Sequence, residues 1–363
     1  MYRIFVCILL FLNAVSVVAC AEQEYILDVD TTDINAYVSG VTDNLLDFDV
    51  LMEYVQKGEV KAAVKILAEY TYESIKRTLV NHKLIMSTIL TVCLLSALPR
   101  FAADDDFGKI YELTAVCALS ALMIGVFSSV FDVVTDVVKN LAGFMNVSLP
   151  VYFGISASVT SRLPFSVYGA FVAFVAFFQW GANAVLFPAI GVMALCSIAE
   201  GVYPSFGAAG IKKFITSTVH WALGLYTTVF VAIMKITQLA SYGTDKLIMS
   251  GIRYTISHSV PVVGGFLSEA AGAVVTSTLI LHNTLGVGSV LIIAFIGFAP
   301  FLAVFALSGI IKLIAAVLSP LAAAGVVGLL QSFGECLCEL SVVLLCACAT
   351  FIIGLGIEMS VVR

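Results

Sequence analysis

An all-α membrane helix bundle is the fold class this sequence predicts. Three observations carry the prediction: 61% of the 363 residues are apolar, 12% are charged, and the mean hydropathy is +1.06. Soluble domains carry about 25% charged residues, and polar groups must cover whatever faces water. Composition therefore excludes a water-soluble enzyme. Backbone in hydrocarbon has to satisfy its own hydrogen bonds, and long apolar runs do so as helices.

Taken in order, the first residues read as an export signal. Arg3 supplies the positive start, Ile4 to Val18 the apolar stretch, and Ala19-Cys20-Ala21 a small-residue cleavage site. Residues 1–21 are assigned to this signal. Val17-Val18-Ala19-Cys20 also fits a lipoprotein cleavage box with Cys20 as the lipidated residue, and an uncleaved first helix is a third reading.

Residues 22–83 hold 12 of the 24 acidic residues and six of the 18 basic ones, so the whole net charge of −6 sits there. Asp28, Asp30, Asp33, Asp43, Asp47 and Asp49 predict a polar, loosely structured stretch outside the cytoplasm. From Val60, apolar positions recur at Val64, Leu67, Thr71 and Ile75, between Lys61, Lys65, Glu69 and Lys76, which predicts an amphipathic helix. No basic tract is present, and nucleic-acid binding has no support.

Residues 84–363 form the polytopic body. Eight runs lack Asp, Glu, Lys and Arg: 84–99, 113–131, 140–161, 163–199, 214–234, 270–311, 313–334 and 340–357. A crossing needs about 20 residues, so the two longest runs have room for two segments each. The expectation is eight to ten membrane segments, some broken or re-entrant. Arg100 and Lys212-Lys213 fit cytoplasmic loops. Residues 242–258 place Lys246, Ser250, Arg253 and Ser257 on one face, which suits an interfacial or cavity-lining helix. Asp132, Asp136 and Lys139 share a helical face, and Glu335 with Glu339 is read as the start of the last span.

Prolines hint at duplication. Ser148-Leu149-Pro150-Val151 with Gly154 is echoed by Ser259-Val260-Pro261-Val262 with Gly265. Phe187-Pro188 pairs with Ala299-Pro300, and Pro204 with Pro320. The pairing divides the body into halves 132–210 and 245–325, each with a helix broken at its first proline. Chance similarity between apolar stretches is the competing explanation.

Candidate pore or cavity residues follow from the breaks. Pro261 cannot donate to a helix and Gly264-Gly265 invites a turn; Glu269 and Asn283 follow in otherwise apolar sequence. Arg253 and Lys312 are the nearest cations able to partner Glu269, and Pro150, Gly154 and Asp245 complete the set. No phosphate-binding loop, nucleophile elbow or metal-binding helix motif occurs, and His82, His220, His258 and His282 lack ligand spacing. Nine cysteines fall in the signal or in apolar runs, so no disulfide framework, metal or cofactor is expected, and no catalysis.

The run VPVVGGFLSEA (Val260 to Ala270), continued by LHNTLG (Leu281 to Gly286), resembles the signature region of the stage III sporulation protein AE family. Trp221-Ala222-Leu223-Gly224 and Asp245 are similar to that family as well. This sequence departs from it with Glu269 in place of Asp, His282 in place of Lys, and Gly272 where an acid is frequent. The resemblance implies a protein of endospore formation in the mother-cell-derived membrane surrounding the forespore. It implies partners from one operon, among them a cytoplasmic ATPase and a ring-forming protein, with a forespore-side partner completing a channel or secretion-like apparatus. A stand-alone secondary transporter with its site at the proline breaks, and a purely structural scaffold, are the other readings.

Overall fold

The structure is a computed structural model that describes residues 31–42, 48–56, 60–96, 105–159, 165–203, 207–259 and 285–361, with the backbone alone at 55–56, 60–61, 63–64, 105–109, 155–159, 165–167, 237–259 and 357–361. Those residues are helical with no strand among them. Helix α1 is Thr32–Val41, α2 Phe48–Gln56, α3 Val60–Leu95, α4 Asp105–Val159 and α5 Phe165–Gly181. A π-turn, Ala182–Leu186, leads into α6, Phe187–Val202, followed by α7, Ala209–Ser259. Helical residues 285–293 run through a second π-turn, Ala294–Phe298, into α8, Ala299–Leu318, and α9 is Ala324–Val361.

Six helices among the described residues are long and apolar enough to cross a bilayer: Lys65–Leu95, Ile110–Gly154, Tyr168–Val202, Ala209–Ile236, Leu285–Leu318 and Ala324–Gly356. Eight to ten segments were expected from charge-free runs. Run 113–131 and residues 140–159 of the next run are one helix, because Asp132, Asp136 and Lys139 lie on its exposed face and leave the opposite face apolar. The run 163–199 forms one continuous element instead of two.

Side-chain contacts give the directions. Lys212 meets Ser332, His220 meets Glu339 and Thr227 meets Thr350, so α7 and α9 run parallel. Gly201 lies under Leu329 and Ser197 reaches Cys336, so α6 runs against α9, as α8 does through the turn at 319–323. The end of α6, the start of α7 and the turn at 319–323 therefore share one end of the bundle with the start of α4, where Gly325 meets Val116. The other end gathers Tyr152, whose hydroxyl donates to the Leu285 carbonyl at 2.6 Å, and the end of α9.

Residues 32–41 and 48–56 correct the expectation of a loose acidic stretch. Ile34, Val38, Phe48, Leu51 and Met52 are buried, because α1 and α2 dock on the body. Tyr37 donates to the Asn140 carbonyl at 3.2 Å, and Met52 lies on Gly288. Asp49 accepts from Thr31 Oγ1 at 2.8 Å and from Asn35 Nδ2 at 3.0 Å, tying the two helices together. The amphipathic helix and the first span are one element, since α3 runs unbroken through residue 83.

The proline elements divide into two kinds. Pro188 and Pro300 each sit at the second position of a helix, and the turn before each is widened to a π-turn. The ring of a proline collides with the carbonyl four residues back, and widening that turn relieves the clash. The two π-turns start at 182 and 294, which is 112 residues apart. Pro150 behaves differently: α4 passes through it without a break, and the ring points to the exposed side. The expected break at the first proline is therefore absent.

Candidate functional site

Charged side chains inside an apolar bundle persist only where partners hold them. The structure brings such a set together along the seam between α6, α7 and α9. Lys212, in the first turn of α7, is buried; its Nζ pairs with the Glu200 carboxylate from the end of α6 and donates to Ser332 Oγ of α9 at 2.6 Å. Two turns further along, His220 Nε2 lies 3.0 Å from Glu339 Oε2. Next come Thr227 Oγ1 and Thr350 Oγ1 at 3.1 Å, with Cys346 Sγ 3.4 Å from Thr227. From Lys212 to Thr227 the seam runs about 22 Å at the helical rise, most of a bilayer core.

Glu339 corrects the sequence expectation. It was placed with Glu335 at the start of the final span, yet it lies midway along Ala324–Gly356 and is buried, while Glu335 is exposed. Two further contacts close the same end of the bundle. The Gly325 N–H donates to Glu112 Oε1 at 3.1 Å, satisfying a helix-start donor. Ser308 Oγ donates to the Gly334 carbonyl at 2.7 Å, and the Lys312 stem lies over Gly334, where a Cβ would come within 2.6 Å of Lys312 Cγ.

Of the expected site residues, Lys312 is half-buried against α9. Pro150 and Gly154 are exposed on α4, with open space around Gly154. Asp245 and Arg253 belong to α7, beyond its described side chains. Pro261, Gly264, Gly265, Glu269 and Asn283 lie outside the described residues. Sequence reasoning missed Glu200, Lys212, His220, Ser332 and Glu339 as a set. Their one signal was that Glu200, Lys212 and Glu339 border long charge-free runs; nothing local said which would meet.

Chemically, the seam neutralises charge and fastens helices. No group of three or more metal-ligating side chains occurs among the described residues. Six membrane-length helices, a buried hairpin at their centre and a Lys212–Glu200 ion pair between helices define a multi-pass α-helical membrane protein. More narrowly, the chain belongs to the stage III sporulation protein AE family, whose model matches residues 46–361. It is 23% identical over 266 residues to the stage III sporulation protein AE of Bacillus subtilis (strain 168), covering 71% of this chain. The chain spans 65% of the length of that curated relative. No solved structure matches.

Proposed function

We propose that this protein is a non-enzymatic membrane subunit of a channel or secretion-like complex between mother cell and forespore, required for endospore formation. The observation that carries the reading is the extent of the family match: residues 46–361 take in all six membrane-length helices and α2 docked on them. In this reading the body sits in the mother-cell-derived membrane around the forespore. The end holding the start of α7 and the turn at 319–323 faces the mother-cell cytoplasm, where Lys212 and Lys213 satisfy the preference for cations on that side. Helices α1 and α2 then face the intermembrane space. The proposed partners are a cytoplasmic ATPase, a ring-forming protein and a forespore-side component. The ion-paired seam supports a subunit whose helices are fastened against load.

The test is purification from sporulating cells in mild detergent with a tag after Arg363. Recovery of the companion ATPase and ring-forming protein is expected. A well-folded chain recovered alone would overturn the reading and direct attention to ion-coupled uptake by this protein by itself.

A further inference from the structure

The two flanks of the bundle differ in polarity at one depth. Ser197 of α6 reaches Cys336 and Ser308 of α8 reaches Gly334, so the two π-turns lie level along α9. Near the first π-turn, α5 exposes Phe177 and Trp180, as a lipid-facing helix should. The second π-turn is packed by the other flank: Tyr70 of α3 meets Phe295 with ring centroids 5.5 Å apart, and Leu141 of α4 lies 3.2 Å from a Cβ built on Gly297. Within a few residues of those contacts, α3 exposes Glu69, Glu73 and Lys76, and α4 exposes Asp132, Asp136 and Lys139.

The two polar faces are ordered. On α3, Glu69, Glu73, Lys76, Val80, Lys83, Ser87 and Thr91 follow one another along one exposed stripe. On α4 the exposed stripe reads Thr114, Ala118, Ala121, Gly125, Ser129, Asp132, Asp136 and Lys139. The helices are antiparallel. From the shared π-turn the end of α3 is about 37 Å away and the start of α4 about 54 Å, and the few residues joining them reach about 30 Å, too little unless both ends lie on one side. Counting from Tyr70 and Leu141 in opposite senses makes Glu73 level with Lys139, Lys76 with Asp136, Ser87 with Gly125 and Thr91 with Ala121, each to about one residue of rise.

A second copy in the same membrane is related by an axis along the membrane normal, which preserves depth. At these levels each copy's α3 stripe finds on its neighbour's α4 stripe Lys139 opposite Glu73, Asp136 opposite Lys76, and Gly125 and Ala121 opposite Ser87 and Thr91, while Asp132 falls opposite Val80 and Ser129 opposite Lys83. In the single chain the charges close on themselves, Lys76 to Glu73 at 3.0 Å and Lys139 to Asp136 at 3.3 Å. Antiparallel placement of these two i,i+3 pairs puts unlike charges face to face. We infer that the exposed stripes of α3 and α4 are a self-association surface, with α3 of one copy against α4 of another. Because α3 and α4 pack on each other, a two-fold axis forms the contact twice. The inference goes beyond the sporulation-complex reading and is tested on the full chain alone.

Two differently tagged copies of the full chain, one Lys76→Cys and the other Asp136→Cys, both with the exposed Cys117 changed to Ser, are co-expressed and treated in membranes with a short bifunctional maleimide. A mixed-tag dimer is expected, and none when Trp221→Cys on the lipid-facing α7 replaces Lys76→Cys. A second pair of variants guards against misfolding. Glu73→Lys with Lys76→Glu keeps the pair within α3 and should weaken association about tenfold; adding Asp136→Lys and Lys139→Asp should restore it. Absence of the mixed dimer from folded variants overturns the inference. So does labelling of Ser87→Cys by a water-soluble maleimide, which means an aqueous wall, or by a lipid-soluble reagent alone, which means a lipid contact. A purified chain that dimerises yet recovers no companion proteins would sink the complex reading and leave this one standing.

Discussion

The hairpin α8–α9 and the pair α3–α4 are both long apolar helices, yet they live in different surroundings. In the most apolar stretches of Leu285–Leu318 and Ala324–Gly356, 72% of residues are buried inside the chain, against 11% in Lys65–Leu95. The hairpin buries Ser308, Ser332 and Glu339 and gives each a partner: Ser308 to a carbonyl, Ser332 to Lys212, Glu339 to His220. The outer pair instead displays Glu69, Glu73, Lys76, Asp132, Asp136 and Lys139, and Ser87, Thr88 and Thr91 bond back to their own helix. Burial inside the chain follows hydropathy across the six helices, the hairpin being the most apolar and α3 among the least. Partners on neighbouring helices then decide which polar side chains that centre can hold.

That contrast can be broken most directly at the seam. Lys212→Met removes the cation that holds the Glu200 carboxylate and the Ser332 hydroxyl, and loss of one member of a buried pair should cost about 3–5 kcal/mol. A melt in detergent micelles reads it, and Lys212→Met combined with Glu200→Leu should recover a large part of the loss. Equal melting of all three proteins would show that packing, not the ion pair, ties α6 and α7 to α9.

Glycine substitution sharpens the same comparison. At Gly354 a Cβ would come 2.6 Å from Phe230 Cζ and 2.7 Å from Phe171 Cε2, ring atoms wedged in the core, so Gly354→Val should cost about 1–3 kcal/mol. Gly125 has open space around it, and Gly125→Val should leave the single chain within about 0.5 kcal/mol while obstructing self-association. Comparable loss of thermal stability at the two sites would erase the distinction between core and flank.

The smallest expected effect concerns the docked N-terminal helices. Tyr37→Phe removes the bond to the Asn140 carbonyl and should cost about 1 kcal/mol. Burial pushes the Tyr37 phenol above its ordinary value. An acid whose folded value is raised stabilises the fold below the unfolded value and loses that contribution as pH climbs past it, here from about 10 upward. The wild type should therefore lose stability above that pH more steeply than Tyr37→Phe, as measured by melting across alkaline buffers.

Much of this architecture was legible beforehand. Charge-free runs predicted helices because hydrocarbon leaves the backbone no other partner than itself. Period 3.6 from Leu67 to Ile75 marked α3, whose Thr71 is indeed buried while Lys65, Glu69 and Lys76 are exposed. Acids were overread as boundaries. Asp132 and Asp136 end a run in one dimension, but on a helix they occupy one face and interrupt nothing. Glu339 was overread in the same way, since its partner His220 lies on another helix and more than a hundred residues away. Pro150 was overread as a break because a proline's effect depends on whether its freed carbonyl is enclosed or reaches the surface, and here the site is exposed.

By itself, the sequence determined the class: an apolar, nearly charge-free chain of this length has only helices across a membrane available to it. It also determined where turns must widen, because proline's missing N–H and its ring act locally at Pro188 and Pro300. Only tertiary structure decided which carboxylate meets which cation, and which faces remain for another molecule. Those outcomes depend on contacts between residues distant in sequence, and the hydrophobic pattern, which reports burial without naming the partner, cannot contain them.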